Sequence, residues 1–289
     1  MADSISMPGI RIVTDSACDI SAELASELDI IVVPLTIRFG DEELVDRRDL
    51  SVEEFWRRCA EGGALPQTSA PPPGAFQEAY EQAAAAGVDG VLCITISSGM
   101  SGTYQSALAA VEAVADRIAV QVIDSTFVTM GQGLLVIAAA EAAAAPGADL
   151  DTVARTVKEG IGRTRVFGAL ATLDHLQRGG RIGGLQALVG SLLSIKPVVE
   201  VRGGLVAEES KQRTRRRSLD YLADKVRSSA PLERLAVCSG QADDLDELLA
   251  KVADVEVTHR MLVAELGPVV ATHAGPGVVG VAFMLPPAG

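Results

Sequence analysis

Val91-Leu92-Cys93-Ile94-Thr95-Ile96-Ser97-Ser98-Gly99-Met100-Ser101-Gly102-Thr103-Tyr104-Gln105 begins as an uninterrupted apolar run, breaks into hydroxyls and glycines, and leads into the Ala/Leu/Val-rich residues 107–115. The apolar run predicts a strand over residues 91–96 that is buried on both faces, and the pattern after it predicts a helix over residues 103–115. Hydroxyls and small residues therefore fall at a strand-to-helix turn. The first amides of a helix lack intrahelical partners and carry partial positive charge, which suits them to an anion. Small residues there also let a ligand approach the backbone closely. Ser101 could equally serve only as a helix cap, and the segment alone leaves both readings open.

Working outward, the same alternation recurs. Residues 10–13, 30–33 and 120–123 are short apolar strand candidates. Residues 20–28, 75–86, 134–145 and 151–161 carry helical patterns, the last two around the Pro146-Gly147 turn. Ser51-Val52-Glu53-Glu54 opens a further helix with a carboxylate at the capping-box position, and residues 66–74 predict a loop. Strands alternating with helices predict a parallel sheet covered on both faces, in which ligands bind beyond the carboxyl ends of the strands. Asp15-Ser16, Ser97-Ser98 and Asp124-Ser125 all fall at that edge. The pattern changes near residue 165. Residues 166–171 predict a strand, 185–193 a helix, and 197–201 with 205–208 a hairpin turned at Gly203-Gly204. Residues 218–227 and 243–252 predict helices, and 269–274 and 278–285 closing strands. The expected fold is α/β: an N-terminal parallel-sheet α/β/α domain over residues 1–165 and a smaller C-terminal α+β domain over residues 166–289.

The bulk composition removes several functional classes. A net charge of −13 argues against nucleic acid as a partner, because phosphate contacts require clustered positive charge. The first residues lack the basic flank and apolar core of a signal peptide, and no apolar run approaches the ~18 residues that would span a bilayer. Cys18, Cys59, Cys93 and Cys238 are far apart and match no zinc or redox spacing. A cytoplasmic protein that is not integral to a membrane, with neither metal nor cofactor, is the expectation. Only 3% of residues are aromatic, so any large cavity must be lined mostly by aliphatic side chains.

Four polar loops stand out. Thr68-Ser69-Ala70-Pro71-Pro72-Pro73 ends in prolines that suit a helix start, which places Thr68 or Ser69 near a helix N-terminus. Ser97–Thr103 is the turn already described. Arg178-Gly179-Gly180-Arg181-Ile182-Gly183-Gly184 could let backbone and guanidinium face one anion, or could be a glycine cap with solvated arginines. His273-Ala274-Gly275-Pro276-Gly277 places an imidazole between two predicted apolar strands. Gly275-Pro276-Gly277-Val278-Val279-Gly280 has dinucleotide-loop spacing, but the residues after it are strand-like and no βαβ unit can form. A Ser101–His273–Asp15 triad is compatible with composition. Lys211-Gln212-Arg213-Thr214-Arg215-Arg216-Arg217 is the one strongly basic run, either a solvated surface or a dock for an acidic partner.

Together these segments resemble the DegV family. The resemblance is carried by Val13-Thr14-Asp15-Ser16, Thr68-Ser69, Ser97-Ser98-Gly99-Met100-Ser101-Gly102-Thr103-Tyr104 and Asp124-Ser125, followed by Gly179-Gly180-Arg181-Ile182, Lys196-Pro197, Arg213-Thr214 and His273-Ala274-Gly275-Pro276-Gly277, in order over essentially the whole chain. It implies a two-domain α/β protein that binds one long-chain fatty acid between its domains. It further implies a carrier subunit whose bound carboxylate is phosphorylated by a separate ATP-dependent fatty acid kinase, the acyl phosphate then serving phospholipid synthesis. Carried over by motif, Thr68 and Ser101 hydrogen-bond the carboxylate, and Arg181 and His273 complete the polar network. Ala70 stands where many relatives carry glutamine. Arg213, Arg215, Arg216 and Arg217 fall where the kinase is expected to dock.

The chemistry suits such a ligand. A carboxylate only accepts hydrogen bonds, so hydroxyls, a helix-terminal amide and an arginine match it, at ~1.5–3 kcal/mol for each charge-assisted bond. A palmitate-like tail adds ~0.8 kcal/mol per buried methylene, roughly 12 kcal/mol before ordering costs. The tail should dominate affinity and the polar cluster orientation. Two other classes remain open on sequence: a serine-dependent acyl hydrolase using Ser101 and His273, and a lipid-sensing regulatory module acting through Arg213–Arg217.

Overall fold

The structure, a computed structural model, describes residues 9–62, 65–188 and 195–287. Ile10–Asp15 (β1) leads through a short Ser16–Cys18 turn into Ala22–Glu27 (α1), Ile31–Val33 (β2), Thr36–Phe39 (β3), Glu42–Val45 (β4) and Val52–Glu61 (α2). Gln67–Ser69 (β5), Pro73–Ala85 (α3), Gly90–Thr95 (β6), Thr103–Ala109 (α4) and Ala119–Asp124 (β7) come next, then the helices Met130–Ala143 (α5) and Leu150–Arg163 (α6). The remainder comprises Thr164–Ala169 (β8), Asp174–Arg178 (α7), Lys196–Arg202 (β9), Leu205–Gln212 (β10), Arg215–Ser228 (α8), Arg234–Gly240 (β11), Leu245–Val252 (α9), Leu262–Glu265 (β12), Pro268–Ala274 (α10) and Val278–Met284 (β13).

Strands β2-β1-β6-β7 form the expected parallel sheet, and every residue of β6 is buried, as its unbroken apolar sequence requires. A second sheet has the order β10-β9-β8-β13-β11-β12, antiparallel except where β11 meets β12. Its hairpin turns at Gly203 and Gly204, both at positive φ, as a two-residue turn between twisted strands demands. A small antiparallel sheet, β4-β3-β5, has no counterpart in the sequence pattern; its third strand lies inside the stretch that the prolines mark as loop.

Helix α5 joins the two large sheets. Its sequence, Met-Gly-Gln-Gly-Leu-Leu-Val-Ile-Ala-Ala-Ala-Glu-Ala-Ala, is buried continuously from Met130 to Ala140. A helix apolar on all sides belongs in an interior, and α5 lies between β1 and β6 on one side and β8, β11 and β13 on the other. One core cluster consequently runs from Ile12 and Leu92 through Leu134 to Val166 and Met284. Gly131 allows the closest approach, since a Cβ there would lie 2.3 Å from Val166 Cγ2. The outer face of the second sheet, with Phe167 and Phe283, is covered by α8 and α9.

Three predicted elements differ. The helix expected over 103–115 stops at Ala109 and continues only as a tight turn at Glu112–Val114. The one expected over 185–193 is a 3-10 turn, Gly183–Leu188, and its later residues lie outside those described. The strand expected over 269–274 is helix α10. Its β-branched Val269-Val270 imitates a strand, but Pro268 at the first helical position and Gly275 at the end enclose a helix. Ser51 caps α2 by accepting the Glu54 amide, whereas the Glu54 carboxylate turns to Arg57 and Arg58 rather than closing the capping box. Among the described residues no helix is long and apolar enough to cross a membrane.

Candidate functional site

The four residues singled out on sequence converge. Thr68, Ser101, Arg181 and His273 all line one cavity of about 170 Å³ between the parallel sheet's carboxyl edge and the inner face of the second sheet. The rest of its wall is mainly aliphatic, with Met100, Val128, Leu266 and Val269 among its side chains. Aliphatic lining with a few convergent polar groups is the usual form of a small-molecule site.

Each polar residue is placed by local structure. Thr68 sits on β5, opposite Ile37 of β3, and not near a helix N-terminus as the prolines suggested; α3 begins only at Pro73. Ser101 lies just beyond β6, where its Oγ is 2.8 Å from Thr103 Oγ1 and 3.3 Å from the Thr103 amide. The residue is thus both at the helix start and on the cavity wall. Arg181 lies just after α7 in a glycine-terminated cap. The Gly180 amide donates to the Gln177 carbonyl and the Arg181 amide to that of Leu176, with Gly180 at φ +70°. From there the Arg181 guanidinium donates to the Met100 carbonyl (3.1 Å) and the Gly179 carbonyl (2.6 Å), bridging the two loops.

His273 occupies the last turn of α10, not a strand junction. Its Nε2 shares a 2.9 Å hydrogen bond with Thr68 Oγ1 across 205 positions of sequence. Burial, followed by the positive charges of Arg181 and His175, pushes its pKa from 6.5 down to about 4, so the imidazole is neutral at physiological pH. Arg181 is then the fixed cation beside the cluster. A second, polar pocket of about 250 Å³ shares Thr68, Arg181 and His273 with the first and adds Gln67, His175 and Arg178. The polar cluster is therefore the wall between an aliphatic chamber and a polar one, and the polar chamber has no acidic side chain among its described residues.

The remaining edge residues hold the loops. The Asp15 carboxylate accepts from the Ile96 amide (2.7 Å), the Ala17 amide (3.0 Å) and the Gln132 side chain (3.1 Å). Asp124 accepts from the Ser98 and Thr126 amides, and Ser97 Oγ donates to the Gly204 carbonyl at 2.6 Å, fastening the hairpin tip to the parallel sheet. With Ser101 bonded to Thr103, His273 to Thr68 and Asp15 to backbone, none of the hydrogen bonds of a Ser–His–Asp relay is formed. In the basic run, Arg215 is bound to Asp244 (2.6 and 2.8 Å) and the Ala169 carbonyl, while Arg213, Arg216 and Arg217 are exposed. Thr103 and His175 escaped sequence reasoning. Thr103 lay in a loop already singled out, but nothing local marks His175 as His273's neighbour.

The family model for DegV, described as an uncharacterised protein family, matches residues 9–285. A DegV domain-containing protein from Deinococcus radiodurans is 37% identical over 280 residues, covering 95% of this chain and 98% of its own. Another, from Caldanaerobacter subterraneus subsp. tengcongensis, is 34% identical over 282 residues, covering 96% and 99%. Among solved structures, a DegV family protein from Thermus thermophilus, described for its fatty acid binding, superposes with a TM-score of 0.86 at 33% identity and covers 96% of this chain and 100% of its own. DegV of Bacillus subtilis, described as a fatty acid binding protein, gives 0.85 at 30% identity, covering 97% and 100%.

Proposed function

This chain belongs to the DegV family, and from that premise we propose that it binds one long-chain fatty acid and presents the carboxylate to a separate ATP-dependent kinase that forms the acyl phosphate. The single observation that carries the reading is the partition: Thr68, Arg181 and His273 line an aliphatic cavity on one side and a polar pocket on the other. An acyl tail in the first chamber brings its carboxylate to hydroxyl donors and a guanidinium, with its oxygens turned towards the second. Arg181 supplies the countercharge, and Thr68 and Ser101 the hydroxyls. Neutral His273 orients Thr68 without adding a charge. In this reading residues 1–165 and 166–289 are two domains with the lipid between them, and catalysis belongs to the partner. Arg213, Arg216 and Arg217 are the docking residues, and Arg215 secures the start of α8 through Asp244.

Mass spectrometry of the purified protein, native and then denatured with solvent extraction, tests the reading. One stoichiometric fatty acid, held natively and released on unfolding, is the expected result. An empty protein that takes up no added fatty acid overturns it.

A further inference from the structure

We propose that Gly168 and Gly280 form a bare strip of sheet over which the acyl chain runs, and that Gly168 sets which chain lengths the cavity accepts; this rests on the fatty-acid reading above. The two glycines face one another on neighbouring strands β8 and β13. They belong to one row across the second sheet, running from Val199 on β9 to Cys238 on β11. Side chains alternate faces along a strand, and the neighbours fix the side. Val166 and Val278 belong to the inner core, whereas Phe167, Val279 and Val281 belong to the outer one under α8 and α9. Both glycines accordingly face inward, and both line the cavity.

Glycine inside a strand costs stability and packs nothing; it commonly marks a place where a ligand or another backbone comes close. Neither glycine has a positive φ, so the backbone conformation does not demand it. At Gly280 the sheet itself does: a Cβ would lie 2.8 Å from the Phe167 carbonyl oxygen. Gly168 is different. A Cβ there would meet nothing nearer than Val199 Cγ2 at 3.6 Å and the Val279 carbonyl oxygen at 3.9 Å, both ordinary contacts. The fold can hold a side chain at 168 and lacks one, and the space it would fill is cavity. The aliphatic walls, Val199 and Val278 among them, suit a methylene chain crossing that space.

The test is binding of octanoate, laurate, palmitate and stearate to delipidated protein, read by displacement of a fluorescent fatty acid. Wild type binds the longer acids. Gly168→Val keeps the shortest and, beyond a threshold length, loses affinity by about tenfold or more, with Gly168→Ala intermediate. The ligand-free variants melt no lower than wild type, since a strand glycine has been replaced. Should Gly168→Val fail to fold, Gly168→Ala carries the same length series. Unchanged stearate affinity, or an equal loss at every length, overturns the inference while leaving the fatty-acid reading intact. A wild-type protein that takes up none of the four acids removes that reading and this inference together.

Discussion

Gly179 and Gly180 are adjacent and identical, yet different forces put them there. Gly180 sits at φ +70° to close the cap of α7, and a Cβ on Gly179 would lie 2.2 Å from His273 Nδ1. The sequence offered a cap or an anion loop at this site, and the structure uses one glycine for the cap and the other to admit the imidazole. Thr68, Ser101, Arg181 and His273 could be named through the family resemblance that short motifs carry, and all four line one cavity. Their mutual contacts could not, because Thr68 and His273 meet through tertiary packing that no local period encodes. At this scale Ser101 gives the sharpest expectation. Ser101→Ala removes a hydroxyl contribution of ~1.5–3 kcal/mol at most, against a tail contribution several times larger. Lipid content after purification therefore stays near wild type, while NMR of an isotope-labelled carboxyl carbon shows an altered head-group environment. Lipid loss as large as in a cavity-blocked variant would refute that order of contributions.

Elements were legible where one periodicity acted alone. Strand β6 is apolar throughout because both of its faces are covered, and α5 is apolar all round because two sheets enclose it. Reading failed where two signals competed. Val269-Val270 favours a strand, yet the flanking Pro268 and Gly275 and the contacts of α10 with β3 and β5 make it a helix. In 66–74 the prolines concealed β5, whose three residues are too few to display alternation. The seat of α5 on the second sheet gives a test at this scale. Gly131→Ala gains about 1 kcal/mol of helix propensity but overpacks against Val166 by about 1–3 kcal/mol, so the variant melts lower than wild type. Val166→Ala also destabilises alone, by a cavity. Because Val166 Cγ2 is the atom in conflict, the double variant is more stable than the sum of the two losses, by denaturant titration. Strict additivity would mean that the helix does not rest on that side chain.

Across the whole molecule, the net charge of −13 and the buried carboxylates act in one direction. Burial, opposed in part by Arg47, pushes Asp19 from 3.8 up to about 7, and burial raises Asp15 to about 6. Between 3.8 and those values the native state retains protons that the unfolded chain has released. Their stabilisation is complete at low pH and is lost as pH rises through 6 and 7. His273 opposes them, since its contribution is complete above 6.5 and is lost as pH falls towards 4. Two carboxyls outweigh one imidazole, so the ligand-free protein melts lower at about pH 8 than at about pH 5. Asp19→Asn keeps an acceptor for the Gly267 amide and narrows that difference; an unaltered difference would assign the pH dependence to other groups. The fold class was visible in the alternation of strand and helix. That one buried helix would join both sheets was not, because sequence shows that α5 is apolar but not what surrounds it. The strand order holds one more consequence. β13 lies between β8 and β11, both of which precede it in the chain. During synthesis those two strands leave the ribosome with the slot between them empty and their backbone edges unpaired. Such edges are templates for pairing with other chains, so the nascent polypeptide is most exposed to aggregation and to chaperone capture until Val278–Met284 emerges to fill the gap.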